Sequence, residues 1–351
     1  MKKTLLVALA IILALCLVAC TSKTEAPAAE APAEQPATEA PAATEAGGGD
    51  ITIVIMPKLI GIPYFNATET GAYRAGEALG VNVIYAGPTE ADATQQVKML
   101  EDFIAQGVDA IAVAPNDPAG LTPTLKKAAD AGIKVIDWDT AAERDYVQYS
   151  VAQVDITEEA THTWGTMAKE LGGNGYYAVL TGGPEAANLN ARIEVGEAFM
   201  RKEFPDMKLV TDIIPTNESQ QEAYSKTLDL MKAYPEIQGI ICQSSPTIPG
   251  AGQAIQELGL GEETFLIGHG MPNVSRPYLK DGSADVVTLW DVEALGYLAI
   301  YVAWCAVTGT PVTDGMPVDT VGNIRLEADG KGIIMGPPLD ITAANVDNYD
   351  Y

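Results

Sequence analysis

From Ile51 onward the chain alternates two hydrophobic rhythms. Short apolar runs at 51–55 (ITIVI), 81–85 (VNVIY), 109–115 (DAIAVAP) and 133–139 (IKVIDWD) have the length and β-branched content of strands buried on both faces. Between them apolar residues recur three or four positions apart, as in Val97, Leu100, Phe103 and Ile104, or Leu125, Ala128 and Ala129. That spacing puts one apolar stripe on a helix. Asp117-Pro118 reads as a helix start, with an oxygen to cap the first amides and a proline at the first helical position. A second series follows, with strand-like runs at 175–182, 208–214, 239–245, 264–270 and 283–291 and helical stretches near 187–203, 219–233 and 250–259. After Glu293 the run ALGYLAIYVAWCAV is apolar on all sides; it predicts a buried helix and is too short for a membrane span.

Repeated strand–helix alternation predicts an α/β fold in which parallel sheets are covered on both faces. The body is too long for one modest core, so two doubly wound parallel-sheet lobes joined by a hinge are expected. The boundaries read as 50–152 plus 291–315 for the first lobe and 153–290 plus 316–351 for the second, the late helix returning to the first lobe.

The N-terminus has a different character. Lys2 and Lys3 precede the apolar run Leu5–Val18, which is the layout of a signal peptide over 1–19. Leu17-Val18-Ala19-Cys20 resembles a bacterial lipobox, implying lipidation of Cys20, attachment to a membrane and a place in the cell envelope. The setting is the outer face of the cytoplasmic membrane, or the periplasm in a Gram-negative cell. From Thr21 to Gly49 the chain is almost entirely Ala, Pro, Glu, Thr and Gly, so 20–49 reads as a disordered tether that cannot bury enough surface to offset ordering.

Charge removes one class of partner. A formal net charge of −26 repels phosphate backbones, so nucleic acid is not an expected ligand. Beyond Cys20, Cys242 and Cys305 sit in apolar runs and read as buried free thiols. Two histidines, His162 and His269, without paired Cys/His spacing give no reason to expect a zinc site or other metal.

Ligands of open α/β sheets bind beyond the carboxyl ends of the strands. In this sequence those ends carry Lys58, with Tyr64 and Phe65 just after, then Asn116, Asp137 and Asp139, Asn188 and Asn190, Gln243 and Ser244, His269, and Trp290 with Asp291. Each admits a structural role as well: Asn116 and Asp139 can cap turns, the aromatic pair can be core, and Trp290 can be a lobe-interface residue. Asp137 and Asp139 alternate along one strand and are expected on the same face. Together the set has the composition of a polyol pocket: carboxylates and amides for hydroxyls, rings for C–H faces, and a lysine whose charge Asp139 balances. Enzyme signatures are missing: there is no G-x-S-x-G, phosphate loop or H-E-x-x-H, and Gly250-Ala251-Gly252 starts a dinucleotide fingerprint that ends in Ile255. No enzyme activity and no cofactor are expected.

The stretches PKLIGIPYF, GVNVIYAGPTEADATQQV, KVIDWDT, PNVSRPYLKDG with LWDV, and LEADGKGI resemble the type I periplasmic sugar-binding proteins of ABC importers. The branch is the one containing autoinducer-2-binding and rhamnose-binding proteins. The resemblance implies a ligand-closed cleft recognised by an ABC permease, and a monomer. It assigns ligand contacts to Lys58, to Asp139 of the Trp138-Asp139 pair, and to Pro249 and Ala251. Where autoinducer-2 receptors have an adjacent Asp-Gln pair, this chain has Asn188 and Leu189. That replacement favours a neutral monosaccharide or deoxysugar such as rhamnose over autoinducer-2, since a site built to pair a hydroxyl discriminates strongly when the pairing is lost. The alternatives are an autoinducer-2 receptor for import and a receptor that signals to a membrane sensor.

Overall fold

The computed structural model describes residues 44–46 and 51–351. The expected signal peptide, Cys20 and most of the expected tether lie outside the described residues. Six strands, β1 (Thr44–Ala46), β2 (Thr52–Met56), β3 (Asn82–Tyr85), β4 (Ala110–Val113), β5 (Lys134–Trp138) and β6 (Tyr149–Ala152), are interleaved with α1 (Pro63–Leu79), α2 (Ala93–Gln106) and α3 (Pro118–Asp130). The second series runs α4 (Ile156–Glu170), β7 (Asn174–Thr181), α5 (Ala187–Glu203), β8 (Asp206–Leu209), β9 (Ile214–Pro215) and α6 (Gln220–Ala233). It continues with β10 (Ile237–Cys242), α7 (Thr247–Leu258), β11 (Phe265–Gly268), α8 (Pro272–Asp281) and β12 (Val286–Leu289). The chain ends with α9 (Val292–Thr308), β13 (Pro317–Val318), β14 (Gly322–Asn323), β15 (Arg325–Leu326), β16 (Gly332–Ile334), β17 (Leu339–Ile341) and a 3₁₀ turn at Val346–Asn348.

Two sheets carry the two lobes. The first has the order β1-β3-β2-β4-β5-β6-β16-β15, parallel from β3 to β16 with antiparallel edges at β1 and β15. The second has the order β17-β12-β11-β10-β7-β8, parallel except for β17, with β9 beside the end of β7. Central strands such as Ala110–Val113 are buried throughout, as the unbroken apolar run predicts. The chain passes between the sheets after β6, after β12 and after β16. Three segments differ from the expected layout. Thr44–Ala46, expected in the tether, pairs antiparallel with β3. Residues 325–326 and 332–334, expected in the second lobe, pair in the first sheet. The run 208–214 divides, because β8 follows the start of β7 and β9 follows its end.

Helix starts follow local chemistry. The Asp117 side chain accepts the Ala119 amide at 3.0 Å ahead of Pro118, and Asp92 caps α2 in the same way. Helix α9 is buried nearly all round, packing on β5, β4, β6 and β2 of the first sheet and crossing α1. The crossing depends on two glycines. A Cβ on Gly71 would lie 1.8 Å from the Glu293 carbonyl oxygen, and one on Gly296 would lie 2.0 Å from that of Thr68. Their backbones touch where any side chain would intervene, which fixes the start of α1, with Tyr64 and Phe65, against the segment that carries Trp290. Among the described residues no helix is long and apolar enough to cross a membrane, and Cys242 and Cys305 are free and buried.

Candidate functional site

The carboxyl edges of the two sheets face each other across a narrow cleft whose cavity volume is about 40 Å³. From the first lobe come Lys58, Ile62, Tyr64, Phe65 and Asp139; from the second come Asn188, Leu189, Arg192, Glu218, Gln243, Ser244, Ser245 and His269, with Leu289 and Trp290 at the crossing between them.

Asp139 is the centre of the polar network. Strand β5 ends at Trp138, and Asp139 takes φ of +62°, a left-handed conformation rare for a residue with a side chain. Such strain persists only where surroundings over-determine it. Here Tyr64 donates to Asp139 Oδ1 at 2.8 Å, Gln153 Nε2 donates to the same oxygen at 2.5 Å, and Lys58 Nζ lies 3.3 Å from Oδ2. Lys58 and Asp139 are only 4 % and 9 % exposed. Breaking a buried pair of this kind costs about 3–5 kcal/mol, because the remaining charge is left without a partner. Burial and the Asp139 charge hold the Tyr64 hydroxyl well above the usual phenol range, so it remains a donor.

Asn188 ties the lobes together. Its Oδ1 accepts from Lys58 Nζ at 2.9 Å, and its Nδ2 donates to Asp139 Oδ2 and to the Asp139 carbonyl oxygen, both at 3.2 Å. Trp290 Nε1 donates to the Tyr64 hydroxyl at 3.2 Å, and the two rings meet edge to face. The Arg192 guanidinium lies over the Trp290 ring, 5.1 Å from its centroid, and donates from Nη2 to Gln153 Oε1 at 3.4 Å. Behind it Glu159 is fully buried, 3.4 Å from Arg192 Nε and 3.2 Å from His269 Nε2. Burial alone would raise that carboxyl, but His269 and Arg192 outweigh it and bring it down to about 2.

The structure gathers Lys58, Tyr64, Phe65, Asp139, Asn188, Leu189, Gln243, His269 and Trp290 in the cleft. Other expected positions go elsewhere. Asp137 faces the opposite side of β5, where its Oδ2 accepts the Ala142 amide at 2.8 Å; the left-handed turn at Asp139 breaks the alternation that would align the two. Asn116 sits behind the wall and donates to the Lys58 carbonyl oxygen at 2.7 Å, holding that loop. Asn190 is exposed and donates to the Pro184 carbonyl oxygen, and Asp291 caps α9 by accepting the Ala294 amide. Pro249 and Ala251 lie inside α7, buried and away from the cavity.

Sequence reasoning missed Ile62, Arg192, Glu218, Ser245 and Leu289. Arg192 was findable, since it stands four residues after Asn188 and therefore on the same face of α5. Glu218 had no local signal. It enters the cleft because Asn217 and Glu218 both adopt left-handed conformations, φ 52° and 58°, in the loop after β9.

Comparison with known proteins agrees with this layout. A family description reading "Periplasmic binding protein domain" matches residues 53–311. The ribose import binding protein of Bacillus subtilis is 26 % identical over 254 residues, covering 71 % of this chain and 79 % of that one. LsrB from Clostridium saccharobutylicum, solved in complex with AI-2, superposes with a TM-score of 0.80 at 26 % identity, covering 86 % of this chain and 100 % of that one. An ABC transporter solute binding protein from Clostridium phytofermentas, solved with bound L-rhamnose, gives 0.80 at 29 % identity, covering 86 % and 98 %. This chain belongs to the periplasmic binding protein family, in the type I two-lobed architecture of its sugar-binding members.

Proposed function

We propose that this protein captures a neutral monosaccharide or deoxysugar between its lobes and delivers it to an ABC permease. Family membership makes it a binding protein rather than an enzyme. The observation that carries the sugar reading is the cleft itself: a buried Lys58–Asp139 pair and several amides beside the rings of Tyr64, Phe65 and Trp290, the mix that suits hydroxyls on one edge and C–H groups on another. Leu189, buried in the cavity wall, would face a methyl or C–H group, as the 6-position of rhamnose offers. The likeness to a protein solved with L-rhamnose supports this cargo. Lipidation of Cys20 would hold the protein at the outer face of the membrane, within reach of the permease.

A second reading, autoinducer-2 as cargo, is favoured by the likeness to a protein solved with AI-2 and by Lys58 and Asp139; Asn188 and Leu189 oppose it. Thermal unfolding of the protein with autoinducer-2, rhamnose, fucose, ribose, xylose, galactose and glucose separates the two. A ligand at about 100 times its Kd adds roughly 2.7 kcal/mol of stability. Rhamnose or another sugar should raise the melting temperature and autoinducer-2 should not; a response to autoinducer-2 alone reverses the assignment. Leu189→Gln should reorder the sugars, and an unchanged order removes the methyl-facing role.

A further inference from the structure

We propose that Gln243 is the group by which the second lobe reads its ligand, and that it reads two adjacent hydroxyls. The inference rests on the sugar reading above and deepens it. Gln243 follows β10 and lines the cavity, yet it is 0 % exposed. Its backbone is fully engaged: the amide donates to the Leu180 carbonyl oxygen at 2.9 Å, and its own carbonyl oxygen lies 3.0 Å from His269 Nδ1. The side chain is the exception. Neither Nε2 nor Oε1 has a hydrogen-bond partner among the described residues. Buried polar atoms are nearly always paired, and leaving a donor and an acceptor of one amide unmet is a cost that a packed core avoids.

The two atoms define what would meet them. A primary amide presents one donor and one acceptor side by side in a plane. Two hydroxyls on neighbouring carbons complement it, one accepting from Nε2 and the other donating to Oε1. Neighbouring groups are already committed: Ser244 Oγ donates to Glu218 Oε2 at 2.6 Å, which holds that carboxylate at the cavity wall as a further acceptor. The strained Asn217-Glu218 pair fits a loop retained for this placement.

Gln243→Met tests the assignment, because it removes both polar atoms while keeping an unbranched chain of similar length. The ligand-free variant should melt no lower than the wild type, and its affinity for the sugar that the wild type binds best should fall about tenfold or more. Monodeoxy analogues of that sugar should lose affinity for the wild type at two adjacent positions, and those losses should vanish in the variant. Equal affinity in both proteins overturns the proposal and leaves the sugar reading intact. A lower melting temperature for the ligand-free variant also overturns it, since the amide would then be satisfied within the fold. If the variant does not fold, the wild-type series decides alone, and losses at no adjacent pair overturn the proposal. No response of the wild type to any sugar removes the sugar reading and this inference with it.

Discussion

Asp137 lies outside the cleft, yet its burial gives this fold a distinct pH dependence. Burial pushes its carboxyl up to about 7, against the favourable amide of Ala142. An unfolded aspartate titrates near 4. Between those values the folded chain holds a proton that the unfolded chain has released, so stability falls as pH rises through the window. Glu159 acts with the opposite sign and lower down: its stabilisation is present above the unfolded glutamate value and is lost as pH falls toward about 2. Asp137→Asn should remove the loss between about pH 4 and 7 and leave the variant more stable at pH 8 by roughly 4 kcal/mol. Urea unfolding at several pH values measures this, and parallel profiles for the two proteins would exclude it. The same residue marks the limit of what sequence conveys at this scale. Lys58, Asp139, Gln243 and Trp290 were legible because each closely follows a recognisable strand, where ligands of such sheets gather. Asp137 misled because strict alternation assumes that the strand continues, and one left-handed residue ends it.

Elements were legible where a hydrophobic period was long. Helix α5 occupies 187–203 as its periodicity predicts, whereas β6, with only Tyr149–Ala152, leaves too little pattern to register. The pairing of β15 and β16 into the first sheet is a long-range choice between short strands, and nothing in their sequences selects one sheet over the other. The α1–α9 crossing shows how an element fixes a site from a distance. Gly296 meets the Thr68 backbone three residues beyond Phe65, so the register of this contact sets where the Tyr64–Phe65 wall stands relative to Trp290. Gly296→Ala must separate the helices, since the obstructing atoms are backbone, and overpacking of this kind costs about 1–3 kcal/mol. Binding should weaken along with stability, because the wall moves with α1. A melting temperature equal to that of the wild type would show that the crossing has slack and that the contact does not set the wall.

On the scale of the whole molecule, the cleft is closed by the same groups that would hold a ligand. Asn188, on the second lobe, accepts from Lys58 and donates to Asp139 on the first, so these bonds must break when the lobes separate. A hinge of this kind interconverts open and closed forms, and a ligand shifts the balance only by its greater affinity for one of them. Hydrogen bonds to charged partners contribute about 1.5–3 kcal/mol each net of the exchange with water, and every 1.4 kcal/mol is a factor of ten in population. Asn188→Ala should therefore move the unliganded protein toward the open form, read as a larger radius of gyration in small-angle X-ray scattering. Saturating sugar should still close the variant, because Lys58 and Asp139 remain to meet it. The required concentration rises in inverse proportion to the fraction of molecules that remain closed without ligand. If variant and wild type scatter alike with and without sugar, the Asn188 bridge does not bias the hinge, and closure must come from the Trp290–Tyr64 contact or from the ligand alone.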